Sequence, residues 1–209
     1  MDLKHSKTYR YELIPCKGKS KKVLYVLHGY GQLAKFFIRK FEVLSEEYHI
    51  VAPEGMHRFY LQGSSGRVGA SWMTKEARES DIEDNLNWLN ALDDKITQQL
   101  QVEERHLLGF SQGGATAARW FADNNQLFIS IVLWACVFPP DLEPEAETAK
   151  FNSDDASTFV IGTEDEYYNT EQQKALIDFY EGLSFKTVTF EGKHNIDSDV
   201  LKAIYDSNV

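Results

Sequence analysis

Apolar residues in this chain gather into short continuous runs separated by stretches with helical spacing. Val23-Leu24-Tyr25-Val26-Leu27 is apolar at every position, the pattern of a strand covered on both faces. Similar strands are predicted at Tyr48-His49-Ile50-Val51-Ala52-Pro53, at Leu107-Leu108-Gly109-Phe110, across 128–136, and at Ser157-Thr158-Phe159-Val160-Ile161-Gly162. Residues 8–15, rich in aromatic and branched side chains and stopped by Pro15, and residues 185–190, which alternate, predict edge strands. Leu33, Phe36, Phe37, Phe41 and Leu44 predict a crossover helix over 33–47. Ile82, Leu86, Leu89, Leu92 and Ile96 form the clearest amphipathic stripe, with Ser80-Asp81-Ile82-Glu83 as its capping box. Thr170-Glu171-Gln172-Gln173 predicts a second capping box, Gly182 a helix stop, and Val200, Leu201 and Ile204 a closing helix. Residues 54–79 show neither period and read as a long loop. Strands alternating with helices in this way predict an α/β fold, a doubly wound, mostly parallel sheet.

The length of 209 residues fits one domain spanning 1–209, and a hydrophobic fraction of 43% is enough to fill its core. A net charge of −10, from 32 acids against 22 bases, argues against nucleic acid or an anionic membrane as the main partner. Cys16 and Cys136 belong to no CxxC or Cys/His spacing, so both are expected as free thiols and no metal site is expected. The first seven residues hold no apolar signal core, and no run is long enough to span a membrane. A cytoplasmic protein without stable membrane insertion is the resulting expectation.

Candidate chemistry centres on Gly109-Phe110-Ser111-Gln112-Gly113-Gly114, which joins a predicted strand to an Ala/Gly-rich helix. The GxSxG spacing in a strand-turn-helix context is that of a serine held on a strained turn at a helix N-terminus. Its alternative is an ordinary turn whose serine caps the helix. In an open α/β sheet, sites form beyond the C-terminal ends of strands. Four such ends carry glycine-rich or reactive residues, namely His28-Gly29-Tyr30-Gly31-Gln32, Ser111, Asp165 and His194. The chain order serine, acid, histidine is the one associated with α/β-hydrolases.

These motifs, with Gly162-Thr163-Glu164-Asp165-Glu166-Tyr167 and Gly192-Lys193-His194, resemble the compact carboxylesterase, lysophospholipase and acyl-protein thioesterase branch of the α/β-hydrolases. The resemblance spans nearly the whole chain, and the six-residue elbow is its most specific part. Ser71-Trp72 also resembles a family feature, whereas Tyr167 stands where the family favours valine and the proline that should follow is missing. The resemblance implies an α/β-hydrolase fold and a serine esterase needing no metal or cofactor. Because no long insertion separates the strand ending at Cys136 from the one starting near Ser157, a single domain without a large lid is expected.

In that scheme Ser111 is the nucleophile, His194 its base, and Asp165 the acid that orients the imidazole. Backbone N–H groups of Tyr30 and Gln112 form the oxyanion hole. Glu164 and Glu166 are rivals for the acid, outside the GxxD register, and His57 is a rival base. His28 reads as a residue that shapes the oxyanion loop. Phe59, Trp72, Met73 and Tyr167 are candidates for the substrate wall, with core packing an equal alternative for Trp72. Arg58, Arg67, Lys75 and Arg78 could meet a carboxylate or phosphate on the substrate, but a solvated rim is the preferred reading. The expected partner is a small ester or thioester, and the expected assembly a monomer or homodimer. Thioesterase or lysophospholipase action by the same residues, or ligand binding without turnover, remain the alternatives.

Overall fold

Alternate residues of the central strands go to opposite sides of one sheet, and this sets the whole architecture. The computed structural model describes residues 3–143, 150–151 and 157–206. Its main sheet comprises β1 (Tyr11–Ile14), β2 (Lys22–Leu27), β3 (Tyr48–Pro53), β6 (Glu104–Phe110), β7 (Ser130–Trp134), β8 (Ser157–Gly162) and β9 (Lys186–Phe190). Their spatial order is β1-β3-β2-β6-β7-β8-β9. Every pairing is parallel except β1 with β3, so the proline-terminated segment forms an antiparallel edge.

Val23, Tyr25, Leu27, Leu107, Ile131, Leu133, Phe159 and Ile161 face one core layer, packed under α2 (Arg78–Leu100), α3 (Gln112–Asp123) and α4 (Thr170–Gly182). Their neighbours Leu24, Val26, Leu108, Val132, Trp134 and Val160 face the other, covered by α1 (Ala34–Phe37), a 3-10 helix (Ile38–Leu44) and α5 (Ser198–Asp206). Apolar residues at every strand position are thus explained by helices on both faces.

Several local expectations need correction. The crossover predicted as one helix is a single α turn followed by 3-10 helix, because Ile38, Phe41 and Leu44 recur every third residue and eclipse on one buried edge. Ser80 does not cap α2. The helix begins a turn earlier after Ala77, which adopts φ 52°, and the Asp81 carboxylate instead accepts from the Thr74 N–H. At α4 the box belongs to Asn169 and Gln172, one residue before the predicted pair. Asparagine is a strong N-cap, and both registers satisfy the same spacing. Residues 54–79 are not a loop throughout: β4 (His57–Gln62) and β5 (Ser65–Ser71) pair as an antiparallel hairpin. The proline-rich, acidic stretch that begins at Pro139 is described only to Glu143, so the expected absence of a large lid lies partly outside the described residues.

Two buried histidines give the fold an acid-sensitive stability. Burial lowers the pKa of both His28 and His106 to about 4. An unfolded histidine titrates near about 6.5, so the unfolded chain binds more protons between those values. The stability conferred by keeping each ring neutral is therefore complete above about pH 6.5 and is lost as the pH falls toward 4. At pH 5 the expected loss is about 2 kcal/mol per histidine. Urea titrations between pH 6.5 and 5 should show this slope, and His106→Asn should remove about half of it. An unchanged slope in that variant would refute the assignment.

Candidate active site

Ser111 is placed by an abrupt passage from β6 into α3. Its backbone adopts φ 53° and ψ −122°, a strained conformation worth on the order of 1–3 kcal/mol, which packing on both sides must hold. Gly113 permits that packing, since a Cβ there would strike the carbonyl oxygens of Leu27 and His28 at the end of β2. The Ser111 N–H donates to the Trp134 carbonyl at 2.9 Å, fastening the turn to β7.

Beyond β8, the Asp165 carboxylate is buried and receives two donors. The Tyr167 N–H reaches Oδ1 at 3.0 Å, and His194 Nδ1 lies 2.7 Å from Oδ2. A carboxylate only accepts, so Nδ1 carries the proton and Nε2 presents its lone pair. The imidazole lies between two rings, with its centroid 4.9 Å from that of Phe110 and 4.5 Å from that of Tyr167. Phe110 directly precedes Ser111, so the histidine packs against the elbow itself. The Ser111 hydroxyl has no hydrogen-bond partner among the described residues. Contacts between a nucleophile and its base commonly tighten only with substrate bound.

The rivals occupy other positions. Glu166 accepts from the backbone N–H of His194 at 3.2 Å, and donation from its own backbone N–H, with this bond second, holds its carboxyl below the usual range. His57 lies 3.0 Å from Asp81 Oδ2 without hydrogen-bond geometry. His28 is buried: the Gly55 N–H donates to its Nε2 at 3.0 Å, so its Nδ1–H must be the donor to the Gly29 carbonyl at 2.8 Å. Cys136 is buried with its pKa pushed up to about 12 by desolvation, which leaves an unreactive thiol.

Two backbone N–H groups near the serine are left without an acceptor. Among the described residues the N–H groups of Tyr30 and Gln112 have no acceptor, whereas those of Gly29, Gly31 and Gln32 are all bonded. The β4–β5 hairpin braces both. Gly31 N–H donates to the Ala70 carbonyl at 2.8 Å and Ala70 N–H to the Gln32 carbonyl at 3.0 Å, which fixes the loop that presents Tyr30. The Gln112 side chain accepts from the Trp72 N–H at 3.1 Å and donates to the Met73 carbonyl at 2.9 Å, which fixes the first residue of α3. This bracing was not read from the sequence, although Gly63-Ser64 between aromatic and branched runs is a hairpin signal.

The expected substrate wall is redistributed. Trp72 is fully buried and donates its indole N–H to the His28 carbonyl at 2.7 Å, so it supports the loop that follows β2. Its large ring and single donor are both satisfied inside the core. Met73 is partly buried beside Gln112, Phe59 packs on Tyr30 with centroids 5.1 Å apart, and Tyr167 is 70% exposed over the imidazole. Arg58 pairs with Glu54 and Arg78 with Asp141. The sequence reading missed an apolar groove of ≈ 470 Å³ between the segment after β7 and α4. Val137, Phe138, Leu142, Leu176 and Phe179 line it, and Tyr168 closes the end nearest His194, with ring centroids 6.4 Å apart. Ala175, Leu176 and Phe179 at helical spacing were its visible signal.

Among the described residues no group of three or more His, Cys, Asp or Glu side chains could hold a metal ion, and no helix is long and apolar enough to cross a membrane. A family model described as serine hydrolase (FSH1) matches residues 17–199. No curated protein sequence matches the chain. Among solved structures, esterase PE8 superposes with a TM-score of 0.71 at 19% identity, covering 97% of this chain and 99% of that one. A Bacillus cereus carboxylesterase gives 0.68 at 18% identity, covering 96% and 95%. Acyl-protein thioesterase 2 of Zea mays gives 0.66 at 13% identity, covering 95% and 97%. At such identities the likeness establishes the fold, which is that of the α/β-hydrolases.

Proposed function

Because the chain belongs to the serine hydrolase (FSH1) family, we propose that it cleaves carboxylic esters through an acyl-serine intermediate formed on Ser111, working as one α/β-hydrolase domain. The observation that supports this reading is the 2.7 Å contact between buried Asp165 and His194, packed against the elbow and beside two free backbone donors. Ser111 Oγ attacks the acyl carbon while its proton passes to His194 Nε2, and Asp165 steadies the imidazolium that forms. The negative charge on the carbonyl oxygen is met by Tyr30 and Gln112 N–H, each worth about 3 kcal/mol in comparable sites. As the tetrahedral centre collapses, the bond to the alcohol breaks and Nε2 returns its proton to the leaving oxygen. Water then repeats the attack with His194 as base, releasing the acid and restoring the serine. No step requires a metal or cofactor.

Thioesters would follow the same path, because only the leaving atom changes. A fluorophosphonate probe tests the reading directly. Peptide mapping should find one modified residue, Ser111, and no labelling of protein with His194 replaced by alanine. Absence of labelling in the wild type would instead favour a ligand-binding protein without turnover.

A further inference from the structure

Two grooves of opposite character flank the strand that carries Ser111. In the sheet, β6 lies between β2 and β7. The apolar groove described above lies on the β7–β8 side, reaching the site at Tyr168. On the β2 side a second groove of ≈ 660 Å³ runs between α1 and the β4–β5 hairpin, and Gly31 and Gln32 are among the residues that line it. The loop that carries them adjoins the serine, since a Cβ on Gly29, two residues before Gly31, would stand 3.2 Å from Ser111 Cβ.

The walls of the second groove combine Phe36 and Leu61 with Lys35, Lys40 and Arg67. Lys35 lies 4.8 Å from the centroid of the Phe36 ring. No carboxylate of the described residues pairs with any of these three cations. Other cations of the chain are neutralised, among them Arg58 by Glu54, Arg105 by Asp93 and Arg119 by Asp141. Three cations without a carboxylate partner thus line a single groove in a chain of net charge −10.

We propose that this second groove receives the leaving-group half of the substrate and that this half bears a phosphate, while the acyl half lies in the apolar groove against α4. The proposal rests on the acyl-serine reading above. An ester or thioester divides at the carbon attacked by Ser111, so its two halves must extend to opposite sides of the nucleophile. The predominantly apolar groove suits the acyl chain, which gains by leaving water. A phosphate has several acceptor oxygens and a charge near −2, which match the point charges of two lysines and the forked donors of an arginine. The phosphate takes no part in bond making. The acyl carbon is transferred to Ser111 Oγ, and the phosphorylated alcohol or thiol departs with the proton from His194.

The test compares probes that differ only in the phosphate: hexanoyl-phosphopantetheine with hexanoyl-pantetheine, and hexanoyl glycerol phosphate with hexanoyl glycerol. In at least one pair the phosphate should raise kcat/KM by about 10-fold or more at low ionic strength, chiefly through KM, and the advantage should shrink at about 0.5 M salt as screening shortens. The pair that responds identifies the leaving group as a thiol or a glycerol. In the combined variant Lys35→Ala, Lys40→Ala, Arg67→Ala, all exposed positions, the ratio within that pair should fall to about one. Equal rates within both pairs, or a ratio that survives in the variant, would overturn the proposal. Failure to cleave any probe while fluorophosphonate still labels Ser111 overturns the groove assignment alone, and loss of labelling overturns the underlying reading as well.

Discussion

Replacing Ser111 with alanine is expected to lower kcat on a nitrophenyl ester by roughly 10⁶-fold while leaving the fold intact. That factor corresponds to about 8 kcal/mol of lost transition-state stabilisation, far beyond what misplacement of a neighbour would produce. The variant is a clean probe because the strain at this position resides in the backbone, at φ 53°, and alanine bears it as serine does. Its melting temperature should therefore match the wild type, which separates lost chemistry from lost structure. No other group is poised to substitute, since the Cys136 thiol is buried and its pKa is pushed up to about 12. A variant retaining more than a hundredth of the wild-type rate would place the nucleophile elsewhere.

The elements that were legible in the sequence are those whose signal is local. Val23 to Leu27 announced a strand covered on both faces because every position is apolar, and this strand became β2 in the middle of the sheet. The placement of Ser111 was equally readable, because the small residues around it answer a local steric demand: a side chain on Gly113 would run into β2. Features that depend on distant partners were not legible. The exposed hairpin has little apolar periodicity, and its importance comes from Ala70 meeting Gly31 and Gln32, contacts invisible along the chain. Trp72 could equally have lined a pocket or filled the core, and only the position of the His28 carbonyl decides that its N–H is satisfied inside. The start of α2 was misread because Asp81 reaches back to Thr74, a choice of partner that the letters Ser80 to Glu83 do not reveal. The cationic groove escaped for a related reason, since Lys35 and Lys40 come from α1 and its continuation whereas Arg67 comes from the hairpin.

Asp165→Asn is the second substitution with a very large expected effect, a fall in kcat of about 10⁴-fold. Asparagine has nearly the same shape, so the buried site need not collapse. Its amide can still accept from His194 Nδ1, but only by turning its NH₂ toward the Tyr167 N–H that now bonds Oδ1. The opposite orientation satisfies Tyr167 and directs the NH₂ at Nδ1, which forces the proton onto Nε2 and blocks that nitrogen from acting as a base. Either arrangement also removes the negative charge that steadies the imidazolium. Glu166→Gln supplies the contrast, because Glu166 reaches the backbone N–H of His194 and is exposed to solvent that screens its charge. That variant should stay within about 3-fold of the wild-type kcat. Kinetics of the two variants on one ester, measured across pH 6 to 9, thus decide which carboxylate orients the imidazole. Equal losses in both, or the larger loss in Glu166→Gln, would give that role to Glu166.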